Sequence, residues 1–328
     1  MKRAIFNLTG ILALSLLALV SCNKTEDIAP SIAAIAVANP AFSELENAAI
    51  RGGVAGVLSN PNANDPQGKF TVFAPTNDAF ARLGLNTAAD LNALNKTFLT
   101  STLLYHVSNG ATAGASLTVG SNLSSLLGPT KRFIKRGNDM YVNGSKILAT
   151  DVAASNGTIH AIDKVILASG ADIVQTAIAL NKSQVFAGPE LTFLVEAVLY
   201  CNLAGALSAS AGSPSFTVFA PTDQAFKDLG KLLGVALDVP ADIRKLPKST
   251  VTAVLLNHVI NNGGKFTSEI AENTTVESLG KTSVTYGAFN NGILTVRGKN
   301  NATVGNMVIP DVQCTNGIVH VIDRVLLP

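Results

Sequence analysis

The sequence predicts an α+β protein built from two similar domains in tandem, and three observations carry that reading. An eleven-residue phrase, FTVFAPTNDAF at Phe70–Phe80, returns as FTVFAPTDQAF at Phe216–Phe226. Two further phrases follow it in the same order in both halves. STLLYHV (Ser101–Val107) stands against AVLLNHV (Ala253–Val259), and DVAASNGTIHAIDKVILA (Asp151–Ala168) against DVQCTNGIVHVIDRVLLP (Asp311–Pro328). Within each half, helical patterns come first and β-rich segments last, without the regular alternation of a parallel α/β fold. A chain of 328 residues is long enough for two such units, each with its own core.

The repeated phrase has a structural reason at each position. FTVFA is an apolar, β-branched and aromatic run of strand length. The proline that follows cannot continue a central strand. Thr76 and Thr222 then stand where a helix N-cap belongs, with Asp78 or Asp223 in the first turn, where negative charge favours the helix dipole. DAFARL and QAFKDL continue as helix. Upstream, IAAIAVANPAFSELENAAI and IVQTAIAL…LTFLVEAVLYCNLAGAL read as helices. Downstream, Asn-Gly pairs in MYVNGSKILATDV, SNGTIHAIDKVIL and TNGIVHVIDRVLL read as hairpin turns. These elements divide the chain into a first domain at 31–168 and a second at 169–328.

Residues 1–21 are a targeting segment, set apart from the fold. Lys2 and Arg3 precede the apolar run Ile11–Val20, which is too short to span a bilayer comfortably. Leu19–Cys22, LVSC, resembles the lipobox of bacterial lipoproteins. That resemblance implies cleavage before Cys22, lipidation of Cys22 and anchoring through more than one acyl chain. Residues 22–30 are then the lipidated cysteine and a short linker. Asn23 is not the aspartate that retains enterobacterial lipoproteins in the inner membrane. Lys24, Glu26 and Asp27 resemble the acidic export signal of Bacteroidetes lipoproteins. The expected address is the outer membrane, facing outward.

FTVFAPTNDAF, LLYHV and NGTIHAIDKVIL, in that order and twice over, resemble the diagnostic segments of fasciclin-like domains across about Ser31–Pro328. The resemblance implies two domains, each a β-wedge or sandwich flanked by several α-helices. It also implies non-catalytic cell-surface adhesion to a surface or matrix protein. Two features carry over by residue. One is the Tyr-His pair at Tyr105 and His106, with Asn257 replacing the tyrosine before His258. The other is the aspartate–aliphatic pair implicated in receptor contact in animal members, here Asp151-Val152 and Asp311-Val312, the latter after Pro310; structural scaffolding is the preferred alternative for both pairs. Glycan binding and a purely structural envelope spacer stand as alternatives. The absence of Trp and the scatter of the four Tyr weaken a sugar-stacking surface.

Other chemistry finds little support. His106, His160, His258 and His320 are all repeat positions, and no third or fourth ligand accompanies them at metal spacing. No Gly-x-Ser-x-Gly elbow is present. Asp163 and Asp323 stand beside Lys164 and Arg324, which predicts local ion pairs. No enzyme activity, cofactor or metal is expected. With no basic run, nucleic acid is not an expected partner either. Cys201 and Cys314, both in the second domain, leave a disulfide and two buried free thiols open, with the thiols preferred.

Overall fold

The computed structural model describes residues 29–182, 190–208 and 215–328. The targeting segment, Cys22 and its lipidation, and the export signal lie outside the described residues.

The first domain opens with α1 (Ile32–Ala38), α2 (Ser43–Gly52) and α3 (Ala55–Ser59), followed by strand β1 (Phe70–Pro75). Three helices come next: α4 (Asn77–Ala81), α5 (Ala88–Ala93) and α6 (Lys96–His106). The β-rich part contains β2 (Val107–Asn109), β3 (Asn122–Ser124), β4 (Thr130–Arg136), β5 (Asp139–Val142), β6 (Ser145–Ala154), β7 (Gly157–Ile162) and the short β8 (Leu167–Ala168). The second domain repeats the plan. Helices α7 (Ile173–Lys182), α8 (Thr192–Tyr200) and α9 (Ala204–Leu207) precede β9 (Phe216–Pro221), α10 (Asp223–Leu233) and α11 (Lys248–Asn257). Its remaining strands are β10 (Val259–Ile260), β11 (Thr275–Glu277), β12 (Ser283–Asn290), β13 (Ile293–Gly298), β14 (Gly305–Cys314) and β15 (Gly317–Ile322).

The sheets have matching orders, β2-β1-β7-β6-β5-β4-β3 and β10-β9-β15-β14-β13-β12-β11, and β8 pairs with β14 across the domain boundary. The repeated strands are buried on both faces, which explains their unbroken apolar run. Phe70, Val72 and Ala74 face the helices. Phe73 faces a second core with Tyr105, Phe133, Val142 and Ile162. In the second domain Phe219 does the same with Tyr286, Val296 and Ile322.

Two local expectations change on contact with the structure. Thr222 caps α10 by accepting from Ala225 N at 3.2 Å, whereas Thr76 makes no such bond and α4 is only one short turn. The Asn-Gly pairs divide into two kinds. Asn143-Gly144 forms a true two-residue turn, with φ of 46° and 84°. At Asn156-Gly157 and Asn316-Gly317 the hairpin turn lies one residue earlier, and each asparagine is a clamp. Asn156 accepts from Ile32 N (2.9 Å) and donates to Leu58 O (2.8 Å), tying the opening helices to the sheet. Asn316 repeats this with Ile173 N and Leu207 O. The glycine is needed for close approach, since a Cβ at Gly157 would stand 2.2 Å from Phe70 O.

Candidate functional site

Asp151 and Asp311 occupy equivalent bulges in β6 and β14, where the register with the neighbouring strand shifts. Both have left-handed backbones, φ 64° and 67°. A short polar side chain tolerates that conformation when it finds a local hydrogen bond. Asp151 accepts from Gly114 N at 2.7 Å, and Asp311 from Thr267 N at 2.6 Å. A histidine holds each bulge from behind. His160 accepts the Asp151 amide (3.3 Å) and bonds Thr112 O (3.0 Å), while His320 accepts the Asp311 amide (3.1 Å) and bonds Lys265 O (3.0 Å). The Gly114 amide holds the Asp151 carboxyl below the usual carboxylate range.

Beyond the shared histidine and backbone amide, the surroundings of the two aspartates differ. Asp151 and its neighbours from Leu148 to Ala153 are exposed, with Val152 at 40 %. Asp311 and Val312 are buried, at 5 % and 2 %. What covers them is the first domain. Lys164 Nζ donates to Asp311 Oδ2 at 2.6 Å, to Gly292 O at 2.8 Å and to Thr267 Oγ1 at 3.2 Å. Strand β8 lies parallel to β14, with Leu167 opposite Val312 and Ala168 opposite Gln313. Gly144 allows the β5–β6 turn to approach, because a Cβ there would stand 2.2 Å from Asp311 Oδ2.

Three arginines extend this joint. Arg82 donates to Asn291 O (2.8 Å) and Asn291 Oδ1 (2.9 Å). Arg132 pairs with Glu269 (3.1 Å) and lies over the Phe266 ring. Arg136 donates to Ile270 O (2.6 Å) and lies over Phe289. The Asp311-Val312 pair, a candidate contact with scaffolding as its alternative, is therefore the floor of an interdomain joint. As a correction, it is not presented to solvent in this arrangement.

Tyr105 and His106 are also inside. The Tyr105 hydroxyl donates to Gln313 of the second domain and accepts from Asn143, so this residue belongs to the joint. His106 bonds Thr102 O (2.7 Å) through Nδ1 and accepts Ile166 N (3.1 Å) at Nε2, locking α6 to the segment before β8. His258 repeats this with Val254 O and Leu326 N. Burial pushes both imidazoles down to about 4. Asn257, replacing the tyrosine, bonds within its own domain, to Leu326 O (3.1 Å) and Ser278 Oγ (2.9 Å). All four histidines thus engage both ring nitrogens with backbone groups, and no group of three or more metal-binding side chains occurs among the described residues.

The predicted local ion pairs do not form either. Asp163 accepts from Lys146 N (2.7 Å) and faces Arg82 (3.4 Å), while Lys164 crosses to Asp311. Asp323 accepts from Asn306 N (2.7 Å), and Arg324 donates to Val304 O (3.1 Å). Cys201 and Cys314 are buried free thiols. Cys314 donates to Thr176 Oγ1 (3.3 Å), and burial pushes its thiol up to about 11.

Two functional groups escaped sequence reasoning. The joint cations form no run, and Lys164 meets a partner 147 residues away. Lys131 is fully buried, donates to Ser108 Oγ at 2.7 Å and lies near the rings of Phe73 and Tyr105. Strand alternation carried a signal for it, since Lys131 shares a face with the buried Phe133.

The Fasciclin domain profile matches residues 40–168 and 189–328. The Synechocystis protein sll1483 is 39% identical over 142 residues, covering 43% of this chain and 75% of that protein. Rabbit transforming growth factor-beta-induced protein ig-h3 is 28% identical over 264 residues, covering 80% of this chain and 35% of its own length. Human periostin is 28% identical over 194 residues, 59% of this chain and 20% of periostin. The chain thus spans about a third or less of the two animal relatives. The solved FAS1 domain pair of the insect cell adhesion molecule Fasciclin I shares 18% identity at a TM-score of 0.38, covering 79% of this chain and 89% of that one. With both halves matched by the profile, the chain belongs to the fasciclin domain family and carries two copies of the domain in tandem.

Proposed function

We propose that this protein is a non-catalytic adhesion module, tethered to the outer membrane through Cys22, that contacts a surface or matrix protein through Asp151 and Val152. The observation that supports this most is the contrast between the two copies of one motif. The same left-handed aspartate and β-branched neighbour are sealed in the second domain and solvent-facing in the first. A carboxylate held ionised by a backbone amide, beside exposed Leu148 and Val152, offers a fixed charge next to apolar surface. Small anchors of this kind carry binding when they are held rigid.

The tether rests on the LVSC motif and the short apolar run before it. No helix among the described residues is long and apolar enough to cross a membrane. A sugar-stacking surface gains no support from the tyrosines, because Tyr105, Tyr141 and Tyr286 are buried and Tyr200 is half-buried.

The test is binding of the immobilised chain without residues 1–22 to matrix proteins, polysaccharides and intact bacteria, repeated with Asp151→Asn. Protein or cell binding that disappears in the variant supports the reading. Binding to polysaccharide alone, or binding indifferent to Asp151, contradicts it. Asp311 is left intact, since its loss would open the joint.

A further inference from the structure

The joint between the domains is itself a recognition event, and one half of it is present a second time with no partner among the described residues. In the second domain, β14 receives β8 as a parallel neighbour at Val312 and Gln313, and Ser169 N donates to Gln313 O at 3.0 Å. The residue three positions before Leu167 is Lys164, whose ammonium reaches the aspartate of the bulge. In the first domain, β6 pairs with β5 only at Ser145 and Lys146, and with β7 along its other edge. Opposite β7, no described strand pairs at Val152 and Ala153, the positions matching Val312 and Gln313. An edge of this kind is a template for strand addition.

Resting on the adhesive reading above, we infer that the Asp151–Ala153 edge of β6 binds an extended segment of another protein as an added parallel strand. The fitting segment carries Lys or Arg three residues before an aliphatic residue, followed by a small residue and then a residue with a free N–H, the place of Ser169. This is the chemistry by which Lys164, Leu167, Ala168 and Ser169 seal β14. Asp151 receives the cation, and the edge at Val152 and Ala153 receives the strand. The exposed Leu148 and Val152 offer the apolar contact that flanks it.

Two occupants from the chain itself fit less well. Ser155 N donates to Pro30 O at 2.9 Å, just as Thr315 N donates to Ala171 O at 2.9 Å, so the chain enters both domains along the same line. Counting back equally from Pro30 and Ala171, the residues matching Leu167 and Ala168 are Glu26 and Asp27. Those are two like charges for an edge already carrying Asp151. A second copy offers Arg324 and Leu327 at the right spacing. There, Leu327 N is already donated to Asn301 Oδ1 (2.8 Å), and Leu327 O already accepts from Asn300 N (3.3 Å).

The probe is a fluorescent peptide with this chain's own sealing sequence, residues 162–169, IDKVILAS. It is titrated onto chains beginning at residue 23 and at residue 29, with peptide-dependent amide protection mapped by hydrogen exchange. Saturable binding to both chains, with new protection confined to 148–154, is the expected result. Asp151→Asn in the protein, or Lys164→Ala in the peptide, should each weaken binding about fivefold or more, and the two changes together should add little to either alone.

No binding to either chain overturns the inference. Binding only to the chain that begins at 29 also overturns it, assigning the edge to the chain's own preceding residues. Concentration-dependent association abolished by Arg324→Ala overturns it in favour of a second copy. Adhesion that is Asp151-dependent without peptide binding leaves the adhesive reading standing and removes only the added strand. Peptide binding without adhesion does the reverse.

Discussion

The first and second domains carry the same motif at the same backbone angle, buried in one and exposed in the other. Asp311-Val312 is buried under Lys164 and β8, whereas Asp151-Val152 is held in the same shape with nothing described above it. The difference teaches that the bulge is a property of the domain, and its exposure a property of the domain's neighbour. The histidine behind each bulge and the amide in front of it are common to both copies. What differs is whether a cation and a strand arrive from outside.

The sharpest way to break this comparison is to open the joint. Replacing Lys164 with Met leaves the Asp311 carboxylate buried without its charge partner. The expected loss is about 3–5 kcal/mol, the usual range for breaking a buried pair. Calorimetry should resolve two transitions in place of one, because the domains no longer support each other. A single unshifted transition would show that the pair contributes nothing to the joint.

Acid should strike both domains alike. His106 and His258 sit near 4 in the folded chain against about 6.5 when unfolded. The unfolded chain therefore binds more protons between those values, and stability is lost as pH falls from 6.5 to 4. Each histidine accounts for about 3 kcal/mol across that window. Denaturant titrations at pH 7 and pH 4.5 should show this loss, and an equal midpoint at both would contradict it.

A third change separates the domains. Lys131 is pushed down to about 7 by burial, and register places Val284 at its position in the second domain. The folded chain gives up this proton earlier than the unfolded one, so stability should rise as pH climbs from 7 toward 10.5. Lys131→Met should stabilise the protein by about 2 kcal/mol at pH 6, with the gain shrinking through that window. A gain that does not change with pH would mean the lysine stays charged inside. The smallest effect on stability belongs to Asp151→Asn. Asparagine keeps the left-handed backbone accessible, so thermal unfolding should barely move while adhesion is lost.

Much of this architecture was legible in the sequence, because it is local and written twice. The strand–proline–helix phrase, the order of helices before strands and the turn at Asn143-Gly144 all follow from neighbouring residues. Their periodicity and turn chemistry act within a few positions. The clamps at Asn156 and Asn316 are visible as Asn-Gly pairs, whose local chemistry predicts turn centres. Their true role depends on helices more than 90 residues earlier. The joint was hidden for the same reason. Near-neighbour logic pairs Lys164 with Asp163, and only the packing of the two domains sends it to Asp311. Reading Asp151 and Asp311 as equivalents was correct for the domain and misleading for the molecule.

The most direct test of the central contrast is carbodiimide labelling of carboxylates in the native full chain, read residue by residue by mass spectrometry. Asp151 should label readily and Asp311 should stay protected until the protein unfolds, with Lys164→Met releasing that protection. Equal labelling of the two aspartates in the unaltered chain would mean that the joint does not hold in solution, and the distinction between the domains would fall with it.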